Sequence, residues 1–233
     1  MLSRPSIHIS VLIFGLVLTT NFVGASQNPI GIYGDEIVFD VIRNGKTVGE
    51  HKVTFVPTEE GLSVDSRLRI DIRFLGLTVY KYRYVSRSIW GGGRLLYLNA
   101  AVDDDGKRHN VAVEHFKGRL HITGPAGLKF ASPNTLPTNH WNVSVLRSDH
   151  VINTITGKVN RVRIERVGEA TVTTNAGPRY ATHYRYTGDL DVDVWYDQMG
   201  RWVKLRFGVK DGSIVEYMCK RCGKPKRQPN GPK

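Results

Sequence analysis

Both cysteines of the chain fall in one short motif, Cys219-Lys220-Arg221-Cys222. Two thiols at this spacing can close a small disulfide loop, run redox chemistry, or contribute to a metal site. A thioredoxin-type redox site places the motif at the start of a helix in a βαβ unit, whereas here it follows a terminal strand pattern and precedes a run rich in proline and lysine. No second cysteine pair or nearby histidine completes a zinc set. The leading reading is a local disulfide between Cys219 and Cys222 or an idle thiol pair, ahead of a metal or intermolecular role and of redox catalysis.

Other residue types with chemical potential give weaker patterns. His109, His115 and His121 recur every six residues, but a turn after Phe116 keeps them from sharing one face. Ser148-Asp149-His150 contains the residue types of a catalytic triad as sequence neighbours, which cannot all point at one another on an extended chain. Asp191 and Asp193 lie two apart on a strand pattern, about 7 Å at a rise of roughly 3.4 Å per residue, within the range of paired glycosidase acids. In a hairpin with Asp197 to Gly200 as a four-residue loop, each aspartate instead meets a cation: Asp193 faces Lys204 and Asp191 faces Arg206, while Trp195 faces Trp202. Ion pairing depresses a carboxylate pKa and a general acid needs it raised, so these acids read as cross-strand pairs. No catalytic residue, metal or cofactor is expected, and the balance leans away from an enzyme.

The elements that carry these residues alternate with a period of two. Leu62, Val64, Leu68, Ile70, Ile72 and Phe74 interleave with polar residues, and Tyr80, Tyr82 and Tyr84 repeat the pattern after Leu75-Gly76-Leu77. That hairpin pairs Ile72 with Tyr80, Ile70 with Tyr82 and Leu68 with Tyr84 on one apolar face. Arg43-Asn44-Gly45-Lys46 marks another hairpin, with Phe39 or Asp40 opposite Glu50 according to loop length. Thr138 is placed as the cap of one short helix carrying Trp141 and Val145. Turn signals recur about every ten residues. The expected fold is all-β with minor α: a single domain, a strongly curved antiparallel sheet or half-open β-barrel of about ten strands, with at most one short helix.

The N-terminus carries Arg4, an apolar run from Ile7 to Leu18, and Val23-Gly24-Ala25, the pattern of an export signal cleaved near Ala25. The resulting plan is a signal peptide over residues 1–25, a flexible lead-in over 26–34, an antiparallel β domain over 35–218, and a basic disordered tail over 219–233 that contains the cysteine motif. A periplasmic or secreted location follows. Of the formal net charge of +12, Arg4 carries one and residues 220–233 carry six, leaving +5 for residues 26–219. The body is only mildly cationic, which argues against nucleic acid as a partner, and the tail is suited to weak contact with an anionic envelope surface.

Four stretches carry a family resemblance: V-W-Y-D-x-x-G-R-W-V-K-L-R-F at 194–207, N-G-K-x-V-G-E-H at 44–51, L-x-V-Y-K-Y-R-Y at 77–84, and T-N-H-W at 138–141. Together they resemble a family of proteobacterial exported proteins described as a domain of unknown function, over about Asp35 to Tyr217. That family implies no catalytic residues. More distantly, the chain is similar to periplasmic lipoprotein carriers, whose curved sheet binds acyl chains. The expected function is a non-catalytic binding module holding an apolar or lipid-like ligand against Leu68, Ile70, Ile72, Tyr80, Tyr82 and Tyr84. A structural or interaction protein of the envelope is the alternative, and an envelope-polymer hydrolase the third.

Overall fold

The computed structural model describes residues 28–223. The expected signal peptide and most of the basic tail lie outside the described residues.

Fifteen strands form one sheet, against the ten or so expected from turn signals. In chain order they are β1 (Glu36–Arg43), β2 (Lys46–Thr58), β3 (Gly61–Phe74), β4 (Leu77–Gly91), β5 (Arg94–Asp104), β6 (Lys107–Phe116), β7 (Arg119–Thr123), β8 (Lys129–Ala131), β9 (Leu136–Pro137), β10 (His150–Ile152), β11 (Val159–Thr174), β12 (Gly177–Gly188), β13 (Val192–Asp197), β14 (Trp202–Gly208) and β15 (Ile214–Arg221). The excess over ten comes largely from β8, β9 and β10, which are two or three residues long and too short to show alternation.

Each strand pairs with its sequence neighbour except β8 with β9, and one long-range pairing, β1 with β15, joins the chain ends. The sheet is therefore open between β8 and β9. All pairs are antiparallel apart from β9 with β10. Twist curls a sheet this wide into a barrel-like wrap, and its concave side collects the inward positions of every strand into one apolar cluster running from Phe39 through Leu98 and Ile122 to Tyr186 and Leu205.

The β3–β4 register is the one read from the alternation: Leu68 pairs with Tyr84, Ile70 with Tyr82 and Ile72 with Tyr80. The turn is tighter than three residues, because Phe74 pairs with Leu77 and a bulge absorbs the difference. In the β1–β2 hairpin the turn is the two-residue Asn44-Gly45, yet Asp40 still faces Glu50 because the register shifts between Val41 and Ile42. Gly49 on β2 is required by close strand approach: a Cβ there would sit 1.9 Å from the Arg69 carbonyl oxygen.

The β13–β14 hairpin exists, but its register departs from the expected one. Tyr196 pairs with Trp202, then Trp195 with Lys204 and Asp193 with Arg206. Trp202 and Val203 are both buried, and a bulge lets adjacent residues do this on a strand. The loop is set by Asp197, whose carboxylate accepts from the Met199 and Arg201 backbone N–H groups (3.0 Å each) and from the Arg201 guanidinium (2.6 Å), with Gly200 at φ 72°. The expected ion pairs are accordingly absent. The Asp193 carboxylate accepts from His183 Nε2 at 2.8 Å and Asp191 from Arg185 at 3.3 Å, while Lys204 pairs with Glu216 at 2.8 Å.

Two short helical pieces replace the single expected helix. Residues of the expected lead-in form α1 (Pro29–Tyr33), capped by the Asn28 side chain. Tyr33 is buried; its hydroxyl donates to the Trp141 carbonyl (3.1 Å) and accepts from the Trp202 N–H (2.8 Å), so this segment is tied into the core. The second is a 3₁₀ turn over Val143–Arg147 capped by Asn142, not by Thr138. The tail also begins later than expected: β15 runs to Arg221, and Cys219 and Cys222 are buried and joined in a disulfide.

Candidate functional site

Residues 138–157 cross the concave side of the sheet. The Tyr84 hydroxyl donates to Thr154 Oγ1 (2.9 Å), His109 Nε2 donates to the Ile155 carbonyl (2.8 Å), and the Ala126 N–H donates to the Thr156 carbonyl (3.1 Å). Between this segment and the sheet lies a pocket of about 290 Å³ with a mostly apolar lining. Leu68 and Tyr84 form one wall, Trp202, Leu205 and Tyr217 the opposite one, and His140 with Trp141 the cover. Small Ser66 on β3 leaves the room that a larger inward residue would fill.

Its polar groups are few and under-used. His51 Nε2 and Ser66 Oγ share a hydrogen bond of 2.8 Å, but His51 Nδ1 has no protein partner. His140 Nδ1 and Trp141 Nε1 are buried without one as well. The Tyr186 hydroxyl lies near that of Tyr196, which already donates to the His140 carbonyl at 2.8 Å, and Tyr186 makes no hydrogen bond of good geometry. All four groups belong to residues lining the pocket. A buried polar atom without a partner typically costs about 1–3 kcal/mol, and these four lie beneath the pocket surface rather than on it, so the accessible walls stay mostly apolar.

The pocket carries no charge. Burial pushes the His51 imidazole down to about 3, with neighbouring His140 adding to the effect, and pushes His140 down to about 4. Both rings are neutral near pH 7. Burial likewise raises the phenols of Tyr84, Tyr186 and Tyr217, so these stay protonated. No Lys, Arg, Asp or Glu lines the walls. The Ser66–His51 pair has the geometry of a nucleophile and its base, but a base held near 3 abstracts a proton poorly at neutral pH, and no carboxylate orients Nδ1.

Of the six residues expected to contact a ligand, the structure brings Leu68 and Tyr84 to the pocket. Ile70 and Tyr82 are half-buried against the core beyond its edge, and Ile72 and Tyr80 lie nearer the β3–β4 turn, where the Tyr80 hydroxyl donates to Asp104 (2.7 Å). His51, His140, Trp141 and Tyr186 were missed. His51 carries a legible signal, because His51, Val53 and Phe55 alternate on one face of β2. His140 and Trp141 come from a loop, where no periodicity announces an inward direction.

The remaining chemical candidates are dispersed. His115 is exposed, His121 sits edge-on between Phe116 and Phe130, and among the described residues no cluster of His, Cys, Asp or Glu can hold a metal ion. His150 pairs with adjacent Asp149 at 3.0 Å. The disulfide lies apart from the pocket residues, at the tip of the β11–β12 hairpin, where Arg179 donates to the Cys222 carbonyl (3.0 Å) and the Asn175 N–H to the Cys219 carbonyl (3.0 Å). Trp141 also lines a larger groove of about 850 Å³ with Arg94, Asn134 and Arg147. That groove is polar and its arginines are exposed, so water satisfies its groups.

Fold and pocket together define a barrel-like, single-sheet β protein with a small uncharged pocket on its concave side. The chain belongs to the family described as Domain of unknown function (DUF6134), whose model matches residues 39–220. A similar solved structure is the β-barrel-like protein of domain of unknown function DUF1849 from Brucella abortus, at TM-score 0.54 and 9% identity over 79% of this chain and 95% of that one. At that identity the likeness shows the fold alone. No curated protein matches the chain.

Proposed function

We propose that this protein is an exported, non-catalytic binding module that takes a small, uncharged, mainly apolar ligand in the pocket beneath His140 and Trp141. The observation that carries the reading is the pocket itself, mostly apolar on its accessible walls and without a Lys, Arg, Asp or Glu on its lining. Neutral imidazoles and phenols recognise hydroxyl, carbonyl or amide groups on an apolar frame, and they leave a carboxylate or phosphate without a counter-charge. At about 290 Å³ the space lies at the small end of ligand pockets, which favours a single small ligand over a two-chain lipid. Export is supported by the apolar run at residues 7–18, the small residues at 23–25, and a disulfide of the kind that persists in oxidising compartments.

The test is titration with the uncharged fluorophore N-phenyl-1-naphthylamine. The wild-type chain is expected to enhance its emission saturably. Val192→Trp, which fills the pocket from a half-buried rim position, is expected to abolish that response while the circular dichroism spectrum is unchanged. Equal enhancement by both proteins, or none by folded wild type, overturns the reading.

A further inference from the structure

Four hairpins share one turn conformation, a non-glycine residue with positive φ followed by glycine: Asn44-Gly45, Leu75-Gly76, Asp105-Gly106 and Lys117-Gly118. Asparagine and aspartate suit that first position because short polar side chains tolerate it, and a leucine does not. At the β3–β4 tip the leucine is also 86% exposed, and around it Phe74 is 65%, Leu77 73% and Val79 55% exposed. Three of the four turns thus end in polar residues and one ends in an apolar wedge. Single exposed apolar residues need no explanation, but four within six positions at a protruding turn do.

The surroundings indicate what covers the wedge. Arg69, Arg73 and Lys81 on the same two strands have no ion-pair partner among the described residues; Arg67, Arg94 and Arg206 share that state elsewhere in the sheet, and what sets these three apart is their place beside the apolar tip. Behind the tip come Tyr80 and Tyr82, side chains with an apolar body and a polar end, and the Ile72–Tyr80, Ile70–Tyr82 and Leu68–Tyr84 pairs lead from the wedge to the pocket wall. Apolar tip, phenolic belt and unpaired cations follow the layering of a bilayer interface: acyl boundary, headgroup level, anionic surface.

We propose that the β3–β4 hairpin is a membrane-docking element, with Phe74, Leu75 and Leu77 entering the interfacial layer of an anionic lipid surface and Arg69, Arg73 and Lys81 meeting its headgroups. A two-residue turn reaches only the headgroup–acyl boundary, so the contact is peripheral and reversible. The docking stands independently of what the pocket holds. It places the mouth of the tyrosine ladder against lipid.

A local probe tests this in the full chain. Both native cysteines are in the disulfide, so Leu75→Cys offers a single thiol for a nitrobenzoxadiazole label, and Lys117→Cys at the β6–β7 turn, at the other end of the sheet, serves as the control. With vesicles containing phosphatidylglycerol, the Leu75 label is expected to shift to the blue and be quenched by doxyl lipids, and the Lys117 label is not. Neutral phosphatidylcholine vesicles are expected to give at most a small shift, and Leu77→Ser is expected to weaken the response at least tenfold. Because the tip contributes nothing to the core, these variants are expected to keep the wild-type circular dichroism spectrum. A Leu75 label that stays in water on anionic vesicles overturns the proposal, whether or not the chain binds them elsewhere. So does a blue shift without lipid that grows with protein concentration, which assigns the wedge to a second copy of the chain.

Discussion

Acid should weaken this fold through the two pocket histidines, and the size of the effect follows from their burial. Unfolded, each imidazole titrates near 6.5; folded, His51 is held near 3 and His140 near 4. Below pH 6.5 the unfolded chain binds protons that the folded chain refuses, so stability present above 6.5 is lost as pH falls toward the folded values. From pH 7 to pH 5 the loss is about 2 kcal/mol for each histidine, hence about 4 kcal/mol for the pair. For a domain of this size that is a fall of roughly 8–16 °C in Tm. Urea unfolding from pH 7 to pH 5 measures it in wild type, in His51→Gln, in His140→Gln and in the double variant. Each single change is expected to remove about half of the pH dependence and the double change nearly all of the 4 kcal/mol. The other histidines are common to all four proteins and cancel in the comparison. An undiminished pH slope in the double variant, or imidazole proton resonances of His51 and His140 that titrate near their ordinary value in the folded protein, would refute the claim that the pocket holds both rings neutral.

Other consequences follow from single contacts. Gly49→Ala drives a Cβ into the Arg69 carbonyl and is expected to cost about 3 kcal/mol or more in urea unfolding; a loss under about 1 kcal/mol would mean that β2 and β3 separate easily there. Asp197→Ala removes the acceptor for two backbone N–H groups, for Arg201 at 2.6 Å and for Arg179 at 3.3 Å, and should destabilise by about 3 kcal/mol, with little change expected from Asp191→Ala at its exposed pair. Reducing Cys219–Cys222 opens a loop of only a few residues, so the chain-entropy estimate is about 2 kcal/mol, a shift of several degrees in Tm with the strand content retained. Tyr82→Arg lies beyond the pocket edge and is expected to leave N-phenyl-1-naphthylamine binding within about twofold of wild type, well below the tenfold effect of 1.4 kcal/mol.

Where a run of alternating residues was long, the sequence specified both element and register. From Leu62 to Phe74 the apolar positions keep one face, and a slip of one residue would have turned Leu68 and Ile70 to water, so the pairing with Tyr84 and Tyr82 was legible. Bulges were not. The pairing starts one residue off, with Tyr196 rather than Trp195 opposite Trp202, and Val203 as an extra residue on β14 adds another, so every pair beyond it stands two residues from the expected one and the Asp193–Lys204 and Asp191–Arg206 contacts are lost. The N-terminal Pro29–Tyr33 segment read as polar and loose, but Tyr33 anchors it through hydrogen bonds to residues 108 and 169 positions away. The pocket shares that origin. Leu68 and Tyr84 sit on strands whose faces could be assigned, while His140 and Trp141 arrive on a crossing loop, and only the closure of β1 against β15 brings Tyr217 and Leu205 opposite them.

Whether the pocket holds an uncharged, mostly apolar compound is read most directly by purifying the full chain under non-denaturing conditions, extracting it with organic solvent, and identifying what is released by mass spectrometry. One uncharged small compound is expected at about one per folded chain by simple mass action at a single site, and none from Val192→Trp. A wild-type protein that releases nothing and shows no N-phenyl-1-naphthylamine binding, or a compound retained equally by Val192→Trp, would contradict binding at this pocket.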